Sequence, residues 1–318
     1  IDARTGKRIW KVDTIVDHRL PYSSTGAPLM AGDKVVIGNS GSDMGRDGVR
    51  GYVSAFDARS GKFLWRFWTV PPPPGQALEH PELAQAARTW DPERPASSQG
   101  GGTAWDGFVY DPKLDIVYFG TANAAPYDLT AVGKGQFDAL YTASILAVRG
   151  RTGRLVWHYQ TTPHDEYDFD AVQKLVLADV KVNGRERHVI TQASKNGFFY
   201  MIDRASGELL SADAYTYVNW AKGVDLKTGR PIVNEAANWH ARPSNIYPSW
   251  AGGHTWMPMS WHQGTGLMYI PVIDVPNIWV DLARNGGRVK YVDGFFTVNG
   301  IMPDDAYDPA GLEPLFGP

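Results

Sequence analysis

The sequence predicts an all-β protein built by radial repetition of small sheets, a β-propeller. Three observations predict it. A turn motif recurs along the chain, strand-like runs lie at short spacing between its copies, and the composition suits strands joined by tight turns. The 318 residues include 12 Trp, 15 Tyr and 34 Gly. Aromatic side chains favour strands, and glycine supplies the backbone freedom of close turns.

The motif comes first. Asp2, Gly6 and Trp10 spell D-x-x-T-G-x-x-x-W, and Asp57, Gly61 and Trp65 repeat it with the same offsets. A third copy has Gly153 and Trp157 with Arg149 in place of the Asp. A fourth has Asp203 and Gly207 with Ser211 at the Trp position, and Asp225 to Gly229 is a shortened fifth. The pattern reads as a hairpin. An apolar strand such as Tyr52 to Phe56 ends in an Asp able to close an Asx-type turn, the Gly takes positive φ, and the next strand buries its Trp.

Further strand-like runs fill the intervals: Lys34 to Gly38, Ile116 to Gly120, Val189 to Gln192, Phe198 to Ile202 and Leu267 to Val272. Strands at this spacing, punctuated by one repeated turn, suggest a propeller over a β-sandwich with accidental turn similarity. The long interval from Asp57 to Arg149 holds more than one repeat unit. It also carries a Pro-rich loop, Pro71 to Gly75, and a short helical pattern, Glu82 to Trp90. Insertions of this kind gather on one face of a propeller and often cover its site. About five blades are expected within 1–318, as an incomplete ring with N- and C-terminal blades missing, and unpaired edges should leave the isolated piece poorly stable.

Composition closes off several functions. With 43% hydrophobic and 20% charged residues the chain is an ordinary globular composition, and a net charge of −3 gives no reason to expect nucleic acid. There is no Cys, so disulfides, thiolate metal sites and covalently attached c-type haem are excluded within these residues. No apolar run approaches the roughly 18 residues of a membrane span. The first residue is Ile and no signal sequence precedes it, so compartment cannot be read from a targeting segment.

Several segments, in order from Ile1 to about Val275, resemble one family. They are G-N-S-G-S-D-M-G with R-G-Y-V-S-A-F-D, F-L-W-R-F-W-T-V-P, G-G-G-T-A-W-D, Y-F-G-T-A-N-A-A-P, T-P-H-D-E-Y-D-F-D and S-K-N-G-F-F-Y-M-I-D-R. Together with the tryptophan-docking repeat they resemble the pyrroloquinoline-quinone (PQQ) dependent alcohol dehydrogenases, the ethanol-type enzymes above all. The resemblance implies an eight-bladed periplasmic propeller that oxidises a small alcohol by hydride transfer to PQQ. It also implies a bound cation as Lewis acid and a cytochrome c or quinone as electron acceptor. In such enzymes the cofactor carries the redox step, and the protein supplies cation, base and orientation.

The same resemblance assigns residues. Asp168 matches the aspartate that takes the alcohol proton. Asp43, Asn123, Asp168 and Asp170 match the oxygen ligands of a hard cation. The family usually has Glu at the position of Asp43, and Arg46 to Gly48 looks like a small insertion beyond it. The additional Asp170 resembles the lanthanide-dependent members, because a trivalent ion calls for more negative charge. A lanthanide(III) is therefore preferred over Ca2+. Trp105 matches the indole beneath the quinone, which stacks on a planar conjugated ring. Thr25, Ser40, Gly41 and Ser42 match the segments that contact its carboxylates and quinone oxygens. Lys195 matches the cation that bonds the quinone oxygens.

Read without the resemblance, the acidic stretch from Asp165 to Asp170 is a solvated face, Trp105 is core, and Lys195 is a surface turn before Asn196-Gly197. The segment G-G-H-T-W-M-P resembles the family's A-H-N-W-x-P with Thr255 where Asn is common. His254 and Trp256 are further candidates there, and His254, which reads equally as a structural histidine, is left out of the catalytic set. Two other functions share the repeat: a quinoprotein polyol or sugar dehydrogenase, and a non-catalytic propeller scaffold of envelope assembly.

Overall fold

A computed structural model describes residues 1–41, 49–93, 100–125, 137–182, 184–279, 281 and, for the backbone alone, 298–299. Strands β1 (Leu29–Ala31), β2 (Lys34–Gly38), β3 (Tyr52–Asp57) and β4 (Phe63–Trp68) form a four-stranded antiparallel meander. A five-residue helix, α1 (Leu83–Ala87), interrupts the interval that follows; it is shorter than the helical pattern at 82–90. Short strands β5 (Gly100–Gly101) and β8 (Ala124–Ala125) pair with each other around a second sheet. That sheet holds β6 (Val109–Asp111), β7 (Ile116–Gly120), β9 (Ser144–Arg149) and β10 (Leu155–Gln160). The third contains β11 (Val176–Val182), β12 (Arg185–Ala193), β13 (Phe198–Asp203) and β14 (Leu209–Ala214).

Beyond the third sheet the described strands pair in twos and threes. β15 (Ala221–Asp225) pairs with β16 (Arg230–Val233), and β18 (Ser260–His262) with β19 (Leu267–Tyr269). β17 (Ser244–Ile246), β20 (Asn277–Trp279) and β21 (Val298–Asn299) make a three-stranded sheet. Among the described residues no helix is long and apolar enough to cross a membrane.

The two larger apolar cores lie between the sheets, and β7 shows how one strand serves both. Successive side chains of a strand point to opposite faces. Ile116 and Tyr118 enter the core shared with Phe198, Tyr200 and Ile202 of the third sheet. Val117 and Phe119 enter the core shared with Val36, Val53 and Phe67 of the first. All four are buried, which is why I-V-Y-F reads as a continuous apolar run rather than an alternation.

The recurrent turn is closed as its residues require. Asp57 Oδ1 accepts from the N–H groups of Arg59 (3.2 Å) and Ser60 (2.8 Å), and Gly61 has φ +73°. Asp2 and Asp203 make the same pair of bonds at their own turns. The tryptophan, however, does not stay with its own hairpin. Trp10 Nε1 donates to Ala58 O (3.0 Å), Trp65 Nε1 to Gly150 O (2.9 Å) and Trp157 Nε1 to Arg204 O (3.1 Å). Each indole therefore docks on the turn of the following repeat. A methyl group on Gly153 would lie 2.6 Å from the Trp65 ring, so this glycine provides positive φ (+68°) and room for the indole together. Where the fourth repeat has Ser211, the next turn is met instead by Tyr159, whose hydroxyl donates to Gly229 O at 2.8 Å.

Candidate active site

The acidic segment lies between β10 and β11. Asp165 accepts the N–H groups of Tyr167 (2.9 Å) and Phe169 (2.7 Å), which folds the segment into a tight turn. Tyr167 and Phe169 are held in the apolar core. The alternation directs Asp168 and Asp170 together, away from that core. Asp168 has φ +62°, a left-handed conformation that Asp tolerates better than most residues.

Lys195 occupies the turn between β12 and β13. It is not a surface residue: Lys195, Asp168 and Asp170 are each no more than 5% exposed. Lys195 Nζ donates to Oδ2 of Asp168 and to Oδ2 of Asp170, 3.2 Å in both cases. The other oxygen of Asp170 accepts the backbone N–H of Asn123 at 2.8 Å. Three chain regions far apart in sequence thus meet at one buried cluster.

The electrostatics follow from burial. Desolvation pushes Asp168 up to about 8 against the pull of the Lys195 charge, and Asp170 pushes the same way. Desolvation also lifts Asp165 to about 7, opposed by its two N–H donors. Burial disfavours the ammonium of Lys195, but Asp168 and Asp170 outweigh it and hold that group above its ordinary value. Two buried carboxyl groups share one ammonium, with a third close by in the same turn, so the cluster holds more acidic groups than bases. The donors are hard oxygens, the chemistry that suits Ca2+ or a lanthanide. Among the described residues no set of three or more His, Asp or Glu side chains surrounds a metal-sized space. Asp43, and with it Ser42, lies outside the described residues.

The other expected contacts gather at a cavity of about 670 Å³, a size that suits a small-molecule cofactor. Thr25, Ser40, Gly41 and Trp105 all line it. So do Ser23, Ala27, Asp106, Lys174 and Trp256, none of them among the expected binding residues. Thr25 Oγ1 donates to Trp105 O (3.2 Å), and the hydroxyls of Ser23 and Ser40 are 2.7 Å apart. Asp106 and Lys174 form an ion pair on the wall. The lining has a simple origin. Ala27 and Thr25 precede β1, Trp105 and Asp106 precede β6, Lys174 precedes β11 and Trp256 precedes β18. Residues leading into the first strands of four sheets therefore share one space with Ser40 and Gly41, which follow β2. That regularity was available in the sequence only once the strand starts were known. A second cavity of about 500 Å³, between β11–β13 and the β18–β19 hairpin, contains none of the expected site residues.

The segment 252–256 joins cluster and cavity. Gly253 N donates to Lys195 O (3.0 Å), and a methyl group on Gly252 would run into the Lys195 side chain. His254 is fully buried, with Nδ1 2.8 Å from Pro271 O. A carbonyl can only accept, so Nδ1 carries the hydrogen, and burial pushes this imidazole down into its neutral form. On the far side of the acidic turn, Glu166 Oε1 lies 3.2 Å from Nε2 of both His164 and His240. His240 Nδ1 is 3.1 Å from Asp281 Oδ2.

Comparison with known proteins gives the family. Residues 11–212, more than half of the chain, match the family model "PQQ: Glucose/ethanol/alcohol dehydrogenase, beta-propeller domain". The chain is similar to the quinohemoprotein alcohol dehydrogenase ADH IIB of Pseudomonas putida, with 48% identity over 288 residues, 91% of this chain and 41% of that protein. It is similar in structure to the quinohemoprotein alcohol dehydrogenase ADHIIG of Pseudomonas putida HK5, with a TM-score of 0.83 and 46% identity. That match covers 88% of this chain and 41% of the other. A europium-containing methanol dehydrogenase superposes with a TM-score of 0.75 at 33% identity, over 86% of this chain and 48% of the other. The chain thus spans about two fifths of the length of the curated relatives it matches.

Proposed function

Because this chain belongs to the PQQ-dependent alcohol dehydrogenase family, we propose that the whole protein oxidises alcohols to aldehydes in the periplasm, passing the electrons to a cytochrome c or quinone. We take 1–318 as part of an eight-bladed propeller. One observation carries the reading: the buried cluster of Asp168, Asp170 and Lys195, tied to Asn123, adjoins through 252–256 a cavity walled by Trp105. A propeller serving only as a scaffold has no use for two acidic groups buried against one lysine, an arrangement that costs desolvation without adding to the core.

When bound, PQQ supplies a quinone that accepts hydride, and the cation supplies Lewis acidity at its carbonyl. Asn123, Asp168, Asp170 and Asp43 would hold the cation, with a lanthanide(III) preferred over Ca2+ for the charge that Asp170 adds. The likeness to a europium-containing dehydrogenase supports that preference. The indole of Trp105 would floor the cofactor, and Thr25, Ser40, Gly41 and Ser42 would meet its polar rim. Lys195 engages Oδ2 of Asp168, so the other oxygen of that carboxylate takes the alcohol proton as general base. A cation beside Asp168 would return its pKa from about 8 towards the ionised state that a base needs. Lys195 would also supply positive charge to the quinone oxygens as charge develops there on reduction.

The test is reconstitution of the full-length protein with PQQ and either Ca2+ or a light lanthanide, followed by dye-linked alcohol oxidation. Activity with Ca2+ alone would reject the metal preference. Bound PQQ without activity in either case would favour the scaffold, and preference for sugars would favour the polyol dehydrogenase. Asp168→Asn should retain PQQ and lose turnover; an unchanged rate removes Asp168 as base.

A further inference from the structure

Two buried glutamines stand behind the cluster, and neither is accounted for by cofactor, cation or base. Gln192, near the end of β12, and Gln173, just beyond the acidic turn, are both fully buried. Gln192 Nε2 donates to Ala171 O (2.7 Å) and to Gln173 O (2.9 Å). Gln173 Oε1 accepts the backbone N–H of Lys195 at 3.2 Å. Chemistry fixes both amide orientations, because carbonyls must face an N–H donor and a backbone N–H must face an oxygen.

What these bonds hold is specific. Ala171 directly follows Asp170, and its own N–H donates to Thr121 O at 2.9 Å, two residues before Asn123. The segment after Asp170 is therefore gripped from both sides, by the second sheet through Thr121 and Asn123 and by the third through Gln192. Gln173 then ties that segment to the backbone of Lys195. The fit comes at a cost in unmet bonds: Gln173 Nε2 and Gln192 Oε1 have no partner among the described residues. Each amide thus holds specific backbone groups, Ala171 O and Gln173 O for Gln192 and Lys195 N for Gln173, and leaves one of its own atoms unmet to do so.

We propose that Gln173 and Gln192 are positioning residues for the oxidation proposed above. They set Lys195 between Asp168 and Asp170, and so fix the direction in which Asp168 offers its free oxygen to the alcohol. The inference depends on Asp168 being the base, and it adds two fully buried residues that do not line the cavity.

Gln173→Met and Gln192→Met, each in the full-length protein loaded with PQQ and cation, test it. Methionine keeps the volume and removes the amide. Bound PQQ is measured by absorbance titration, and kcat is expressed per bound PQQ. Both variants should bind PQQ within about twofold of the parent, keep KM within about twofold and lose about tenfold in kcat, as small misplacements of reacting groups do. Their crystal structures should show Lys195 Nζ withdrawn from at least one of the two carboxylates. Parental kcat per bound PQQ, or Lys195 unmoved in both crystals, overturns the proposal. A fall in activity that matches a fall in folded or PQQ-bound protein also overturns it, because the glutamines would then be merely structural. Should the unsubstituted protein bind PQQ and oxidise no alcohol, the functional reading fails instead, and the Lys195 positions still decide the brace.

Discussion

Lys195 is the residue on which the cluster's charge balance turns. Truncating one partner of a buried ion pair leaves uncompensated charge, at a cost of about 3–5 kcal/mol. Lys195→Met should destabilise the cation-free protein by about that much in denaturant titration; a loss below about 1 kcal/mol would mean that the carboxyl groups simply take up protons. A second group gives a pH signature. His158 stands edge-on to Tyr141, 4.8 Å between ring centres, and burial pushes its pKa below 6.5. Below that value the unfolded chain binds a proton that the folded one resists, so this contribution is present at neutral pH and lost as pH falls. The stability advantage of the parent over His158→Leu should therefore narrow between about pH 7.5 and about pH 5.5. A constant difference in melting temperature would contradict it. Reading these residues from sequence succeeded unevenly. Asp168 and Asp170 stood out because a matching segment flagged them. The burial of Lys195 did not, because Lys-Asn-Gly has the composition of a surface turn and only packing against the acidic segment and 252–253 removes it from water.

At the scale of elements, the hairpin was legible and its partner was not. Asp, Gly and Trp at fixed offsets announce a turn followed by a strand, since those bonds are local: Asp57 reaches only as far as Ser60. The docking of Trp65 on Gly150 spans most of the second sheet, and no local pattern encodes it. The strand β7 was similarly visible as an apolar run, while its division between two cores required knowing that a sheet lies on either side. The glycine of the docked turn can be tested directly. Gly153→Ala meets both positive φ and the Trp65 ring and should cost about 2–4 kcal/mol. Gly75→Ala, at φ +86° with nothing within 4 Å of the added carbon, should cost only about 1 kcal/mol. Equal losses in thermal or denaturant melts would show that the indole contact contributes nothing.

For the molecule as a whole, the proposed cation would link stability to the cluster. A ligand that binds only the folded state stabilises it by mass action, by about 2.7 kcal/mol at a hundredfold excess over Kd. Lanthanide or Ca2+ should accordingly raise the melting temperature of the full-length protein, and Asp170→Ala should abolish most of that rise. An identical rise in the variant would place the cation elsewhere. The propeller reading came from repetition, whereas the cavity did not. Its walls come from Thr25, Trp105, Lys174 and Trp256, which share no motif and only one circumstance, that each stands just ahead of a sheet's opening strand.

The docked indoles also give the architecture a direction. Trp65 belongs to the first sheet but shields the turn of the second, and Trp157 of the second shields the turn at Gly207. Removing one indole should expose the amides one sheet ahead and leave those of its own hairpin as they were. In a Trp65→Ala chain, deuterium would enter the backbone around 150–153 sooner, while 57–61 kept its parental pace. The loss of one indole is therefore expected at the turn of the sheet that follows it in the chain.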